Sequence, residues 1–248
     1  MASYLITGTS RGLGRALAAA LAALPDAQVA LVFVTSRQPS APQDASRKIV
    51  PVQLDPSNPD SLRAAVELVG QRLQGKGLDV LVNNAGATQY APGKIEKMEN
   101  LTDILHINVT QTHLVTSAFM PLLRQGHRKA IANITTTLGS ISLAPNFSFS
   151  PAYAYKISKA ALNMLTVQYA QDYKEEGFSV FAISPGWLRT DIGGDMADLS
   201  VETGAQAVLK YITDQNPRSL NGRFLNIQVP GYEDAPGPNK YDGKDAPW

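Results

Sequence analysis

The chain reads Tyr155-Lys156-Ile157-Ser158-Lys159, placing a phenol and an ammonium four positions apart. On a helix that spacing puts both on one face. A phenol ordinarily titrates at about 10 and is a poor acid near neutrality. A neighbouring positive charge stabilises the phenolate and lowers that value. Tyr155 with Lys159 is therefore a candidate general acid for a carbonyl oxygen. The spacing alone is common, and a half-buried Tyr beside a surface Lys is its ordinary meaning. Tyr153 has no such partner, because position 157 is Ile. Two further polar groups stand where they could serve the same chemistry. Ile134-Thr135-Thr136-Thr137-Leu138-Gly139 clusters hydroxyls at the end of an apolar run, where one could hold a substrate oxygen near Tyr155; Thr also simply favours strands. Asn108 lies between Ile107 and Val109 in a helical stretch. A buried amide there needs partners, as a structural bond or as part of a site.

A second set of residues suits a phosphate. Thr7-Gly8-Thr9-Ser10-Arg11-Gly12-Leu13-Gly14 follows an apolar run and opens an Ala-rich helix. Gly8, Gly12 and Gly14 permit a tight turn and close approach of backbone to a pyrophosphate. The loop residues Ser10, Arg11 and Leu13 lead into a helix N-terminus, whose free N–H groups favour phosphate. Such a triplet can also be a plain turn, but between a first strand and a first helix it reads as a dinucleotide site. The second strand ends Val34-Thr35-Ser36-Arg37, without the acid that binds the ribose hydroxyls of NAD. Arg11 and Arg37 suit a 2′-phosphate, which points to NADP(H).

These groups need a scaffold that brings together positions far apart in the chain. Strand-like runs occur at 3–7, 27–35, 48–54, 78–82, 130–135, 178–184 and near 223–227. They are rich in Val, Ile and Leu at successive positions, as in parallel strands buried on both faces. Helical patterns lie between them at 12–24, 59–73, 98–124, 152–175 and 200–214. The alternation predicts a single α/β domain, a doubly wound Rossmann-type parallel sheet of about seven strands with helices on both faces. Residues 36–46, with Pro39 and Pro42, are too few for an ordinary crossover helix. Residues 228–248 carry Tyr232, Tyr241 and Trp248 and read as an extended C-terminal arm laid over the body.

Composition narrows the function classes. The 248 residues include 22 Lys or Arg and 21 Asp or Glu, a net charge of +1 that argues against a nucleic-acid partner. Cysteine is absent, which removes thiol nucleophiles and thiolate metal sites. His106, His113 and His127 are too scattered to ligate a metal, so none is expected. No apolar run reaches the roughly 18 residues of a membrane span. With strand-like sequence already at Tyr4-Leu5-Ile6, no signal peptide is expected and the location is expected to be cytoplasmic. Charged residues are only 17%, against about 25% on average, consistent with a wide core or a contact between copies.

In order along the chain, these landmarks resemble the short-chain dehydrogenase/reductases of about 250 residues. They are Thr7-Gly8-x-x-x-Gly12-x-Gly14, Asp55, Asn83-Asn84-Ala85-Gly86, Asn108, Tyr155-x-x-x-Lys159, and Pro185-Gly186 followed by Thr190. The resemblance implies that Asp55 contacts adenine and Asn84 lines the cofactor ribose. It implies that Leu188 and Thr190 meet the nicotinamide end and the diphosphate. Lys159 would hold the nicotinamide ribose, Asn108 would keep a relay water, and Tyr155 would donate the proton. The family's catalytic Ser falls here on Thr136, with Ser140 and Ser142 as fallback positions. The segments from Ser184 to Gly194 and from Tyr241 to Trp248 look like sniffer/C-factor-like carbonyl reductases. With Val229-Pro230-Gly231-Tyr232 they are similar to fungal ketoreductases of aromatic polyketide pathways, of the norsolorinic acid reductase type.

The leading expectation is an NADPH-dependent reductase of a hydrophobic, aromatic polyketide-type ketone or aldehyde. Leu143, Phe147, Phe149 and Trp187 would line its cleft, unless they pack against the arm instead. A non-catalytic NADPH-binding regulator or scaffold of the same fold is the alternative, and it would need no proton donor. A sugar-nucleotide epimerase would need a longer chain. Ala160, Ala161, Leu162, Met164, Leu165 and Val167 make helix 152–175 more apolar than one buried face requires. A homodimer or homotetramer through helices 98–124 and 152–175 is therefore expected.

Overall fold

Seven strands assemble into one parallel sheet in the order β3-β2-β1-β4-β5-β6-β7. They are β1 Ala2–Ile6, β2 Val29–Ser36, β3 Ile49–Gln53, β4 Val80–Asn83, β5 Ala130–Ile134, β6 Ser179–Ser184 and β7 Phe224–Asn226. This computed structural model describes residues 1–38, 46–90, 93–235 and 237–248. Pro39 and Pro42 lie outside the described residues. Among the described residues, six α-helices are present: α1 Gly12–Ala23, α2 Pro59–Leu73, α3 Leu101–Leu105, α4 Gln111–Gln125, α5 Tyr153–Asp172 and α6 Val201–Ile212.

Every residue of β1, β4, β5 and β6 is buried, the mark of strands covered on both faces. Alternation then divides each strand between two cores. Tyr4, Ile6, Val82 and Ile183 pack with Leu17 of α1 and Val208 of α6 on one face. Leu5, Leu81, Ile131 and Val180 pack with Val69 of α2 and Phe119 of α4 on the other. Strand order reverses between β1 and β4, so a crevice opens beyond their carboxyl ends. The α/β doubly wound sheet expected from the strand–helix alternation is thus the observed fold.

One helix departs from expectation. The pattern over 98–124 is not continuous: α3 and α4 are separated by a π-type turn, His106–Thr110. The reason is Asn108, fully buried in that turn. Its Oδ1 accepts from Ala87 N–H at 2.8 Å and its Nδ2 donates to Ala87 O at 2.9 Å. A side chain that takes both backbone groups of another loop fixes where the helix must widen. On α5, Met164 remains exposed among the residues whose apolar excess suggested a contact between copies, and Ile157 on the same helix is exposed as well.

Beyond β7 the chain turns back antiparallel along it. Val229 N–H donates to Tyr241 O at 2.9 Å and Ala246 N–H to Phe224 O at 2.8 Å. Bridges pair Gln228 with Asp242 and Leu225 with Asp245. Tyr241 is buried, and the Trp248 ring stacks on Phe224 with centroids 5.1 Å apart.

Candidate active site

The crevice at the β1–β4 reversal is a cleft of roughly 1630 Å³. Single small-molecule sites hold about 300–1,000 Å³, so it has room for a large ligand and a second molecule. Its wall includes Gly8, Ser10, Arg11, Gly12, Leu13, Arg37, Asn84, Thr136, Tyr155, Lys159, Leu188 and Thr190. The fold thereby gathers these candidates, drawn from most of the chain's length, into one place.

At one end, β1 runs through the glycine loop into α1. Gly8 has φ +70°, and a Cβ there would stand 2.8 Å from Ala85 Cα. A Cβ on Gly14 would overlap the Gly8 carbonyl and stand 2.5 Å from Asn84 Nδ2. Only glycine permits that approach. Asn84 Nδ2 donates to Thr7 O at 2.8 Å and to Gly8 O at 3.1 Å, so its amide braces the loop. The Thr7 hydroxyl oxygen accepts from the N–H groups of Asn84 and Ala85, both at 3.0 Å. Thr7 is thus a site-shaping residue not singled out from sequence, although it stands within the loop motif. Asn58 and Ser200 cap α2 and α6 with side-chain oxygens, whereas α1 has no side-chain cap. Its first-turn N–H groups therefore remain open to an anion at the cleft.

The two guanidiniums differ in their surroundings. Arg37 is exposed at the end of β2. Arg11 forms an ion pair with Asp191 at 2.6 Å, with both side chains largely exposed. A phosphate recruiting both arginines would have to compete with Asp191 for Arg11. Such an exposed pair contributes only about 0–1 kcal/mol, which a doubly charged phosphate can displace. Asp55 borders the cleft rather than lining it. Its Oδ1 accepts from Ser57 N–H at 3.0 Å, while Leu54 and Pro56 form the wall. Leu188 is buried, folded onto α6 where a Cβ on Gly204 would overlap it. The Thr190 hydroxyl oxygen accepts from Gly193 N–H at 3.1 Å, which shapes the loop between β6 and α6.

At the other end stand Tyr155 and Lys159 on α5. Lys159 is 4% exposed, and its Nζ donates to Ile134 O at 2.8 Å. Burial pushes its ammonium down to about 8. The same Nζ lies 5.6 Å from the centre of the Tyr155 ring. Tyr155, however, is raised above its ordinary value, first by burial and then by the Tyr90 phenol. The lowering expected from Lys159 is not what the fold gives: both causes acting on Tyr155, burial and the Tyr90 phenol, raise it. Tyr90 lines the cleft and was not found from sequence; only the fold brings it near Tyr155. Asn108 Nδ2 also donates to Ser158 Oγ at 2.9 Å, and Ser158 donates to Tyr155 O at 2.8 Å. Gly86 lies between Asn108 and Lys159, where a Cβ would stand 3.2 Å from Oδ1 and 3.6 Å from Nζ. Asn108 thus braces both the Gly86 loop and the Tyr155 turn.

Thr136 Oγ1 accepts from Leu138 N–H at 3.3 Å, which leaves its own proton for the cleft. The fallback positions are occupied elsewhere. Ser140 is buried and its oxygen accepts from Leu143 N–H at 3.1 Å; Ser142 Oγ donates to Trp248 O at 3.0 Å. Trp187, Phe147 and Phe149 line the compartment, whereas Leu143 does not.

Residues 3–200 match the model for "short chain dehydrogenase". The chain belongs to the short-chain dehydrogenase family. A relative in Penicillium roqueforti, short-chain dehydrogenase anuI, is 30% identical over 237 residues, covering 90% of this chain and 92% of its own. The NADPH-bound carbonyl reductase from chicken fatty liver superposes with a TM-score of 0.83 at 31% identity, over 99% of this chain and 94% of that one. The carbonyl reductase Sniffer of D. melanogaster gives 0.83 at 29% identity, with both chains fully covered. Family membership makes this an oxidoreductase fold, and the similarity to Sniffer-type structures agrees with the sequence motifs. Among the described residues, no helix is long and apolar enough to cross a membrane, and no cluster of side chains could hold a metal ion.

Proposed function

We propose that this protein is an NADPH-dependent reductase of a ketone or aldehyde on a hydrophobic, aromatic polyketide-type molecule. The observation that carries the proposal is one cleft joining an uncapped, glycine-lined helix end to Tyr155 and Lys159 beneath aromatic walls. The residues present fit the cofactor. The glycine loop packs closely on itself and on Ala85, the uncapped start of α1 lies in the cleft wall where a pyrophosphate would sit, and Arg11 and Arg37 suit a 2′-phosphate. Bound NADPH supplies the hydride.

This chain's residues then handle the oxygen and the proton. Thr136 donates to the substrate oxygen and orients it. Tyr155 keeps its proton at rest, because burial disfavours the phenolate, and releases it to the oxygen as negative charge develops there. The Lys159 ammonium stabilises the resulting phenolate. Asn108 holds the Gly86 loop and the start of α5 in register so that these groups stay aligned. Trp187, Phe149 and Tyr90 supply apolar surface for a flat substrate.

The test is NADPH oxidation with an aromatic ketone. Turnover is expected, and its rate should fall as pH rises through about 8, because Lys159 is protonated below that value and neutral above it. Tight NADPH binding without turnover over a broad carbonyl panel would instead favour the regulator or scaffold. Arg37→Ala should raise the NADPH Kd about tenfold, roughly the 1.4 kcal/mol of a lost charged hydrogen bond. NADH binding should change less than twofold. Equal effects on both cofactors, measured by titration calorimetry, would remove Arg37 from phosphate recognition.

A further inference from the structure

The aromatic residue Trp187 is held by the end of the chain. Tyr241, buried in the C-terminal arm, donates from its hydroxyl to Asp198 Oδ2 at 2.6 Å. The Tyr241 hydroxyl oxygen in turn accepts from Trp187 N–H at 3.1 Å. Its ring packs against Gly186, with Cε1 only 3.1 Å from where a Cβ would stand. Asn239, also in the arm, donates to the same Asp198 oxygen at 3.0 Å. One hydroxyl thus ties together the two ends of the loop that carries Trp187, Leu188 and Thr190. The Trp187 indole is turned onto that loop, donating from Nε1 to Gly193 O at 2.8 Å.

The arm has a second attachment across the cleft. Its last residue, Trp248, accepts from Ser142 N–H at 3.3 Å and Ser142 Oγ at 3.0 Å. Ser142 belongs to the segment between β5 and α5, which also carries Thr136 and Phe149. A single stretch of chain therefore grips both loops that wall the compartment, and Tyr241 and Asn239 form part of that wall themselves.

We infer that the C-terminal arm is a positioning strap, with the Tyr241–Asp198 contact as the latch that sets the Trp187 loop over the substrate. Neither residue touches the reacting atoms; Tyr241 acts through Trp187. The consequence for catalysis rests on the reductase reading, but the latch can be observed without cofactor or substrate.

Trp187 and Trp248 are the two tryptophans of the chain, so Trp248→Phe makes Trp187 the sole fluorophore while keeping an aromatic ring against Phe224. In that background, Tyr241→Phe preserves the buried ring and removes the hydroxyl. Acrylamide quenching of Trp187 in the free protein should increase about twofold, reflecting a loop released from its hydrogen bond. With a bulky aromatic ketone, KM should rise about tenfold while kcat changes less than twofold, the signature of lost binding common to ground and transition states. Asp198→Ala should reproduce both effects without adding to Tyr241→Phe in the double variant. Asp198→Asn, which keeps an acceptor, should restore most of the binding. Unchanged quenching in Tyr241→Phe and Asp198→Ala would overturn the latch, whatever the reaction. Increased quenching with unchanged KM would overturn its role in substrate positioning. Absence of turnover in the parent protein would count against the reductase reading alone, because quenching still decides the latch.

Discussion

Tyr155→Phe is expected to lower kcat for carbonyl reduction by about 10²–10⁴-fold, the usual contribution of a positioned proton donor. The substitution removes one hydroxyl and leaves the ring beside Lys159 in the cleft wall. NADPH affinity should therefore stay within about threefold, and thermal stability should be little changed, because the half-buried ring is kept. Burial and the Tyr90 phenol raise the affinity of Tyr155 for its proton. A phenol that resists ionisation is protonated throughout the neutral range, so loss of activity in Tyr155→Phe cannot be mimicked by mild acidification. Stopped-flow and steady-state measurement of NADPH oxidation checks this, with cofactor binding followed separately by calorimetry. Turnover at the parent rate would remove Tyr155 from the mechanism.

Lys159→Met should abolish turnover as fully and yet stabilise the fold. The lysine is 4% exposed and titrates at about 8 instead of the ordinary 10.5. Its native proton affinity is therefore lower than in the unfolded chain. Between those two values the unfolded state binds more protons, so stability rises with pH across about 8 to 10.5. Below about 8 the buried charge costs the full difference, about 3 kcal/mol. Met has nearly the same reach and carries no charge. It loses the bond to Ile134 O, which offsets about 1 kcal/mol. A net gain of about 2 kcal/mol at neutral pH follows, measured by urea denaturation, shrinking towards zero or below it above pH 10.5. A variant less stable than the parent at pH 7 would show that Lys159 is better solvated or paired than the geometry indicates. The opposed effects on activity and stability are those of a functional charge held in the core at the expense of the fold.

Much of the site was legible because short motifs report local backbone requirements. Gly8 and Gly14 stand where a side chain would collide with Ala85 or with the Gly8 carbonyl, and that demand is visible as glycine in the chain. The helical spacing of Tyr155 and Lys159 likewise survives into three dimensions. The break at Asn108 was not legible. The residues around it have helical periodicity, and the turn widens because of Ala87, a partner 21 positions away. The resemblance already put Thr136 ahead of Ser140 and Ser142; what the fold adds is that Thr136 lines the cleft and the two serines do not.

By itself, the amino-acid sequence determined the doubly wound sheet, the family and the residue types gathered at the cleft. The sheet follows from periodicity and the glycine loop from steric rules that act over a few neighbouring residues, while the family follows from the resemblance of motifs standing in order along the chain. The tertiary structure alone decided the state of the charges and the shape of the compartment. Burial raised Tyr155 and lowered Lys159, Asp191 took Arg11, and Tyr241 latched the Trp187 loop from 54 positions away. Solvation and long-range hydrogen bonds depend on which groups meet across the fold, and local spacing carries no record of those meetings.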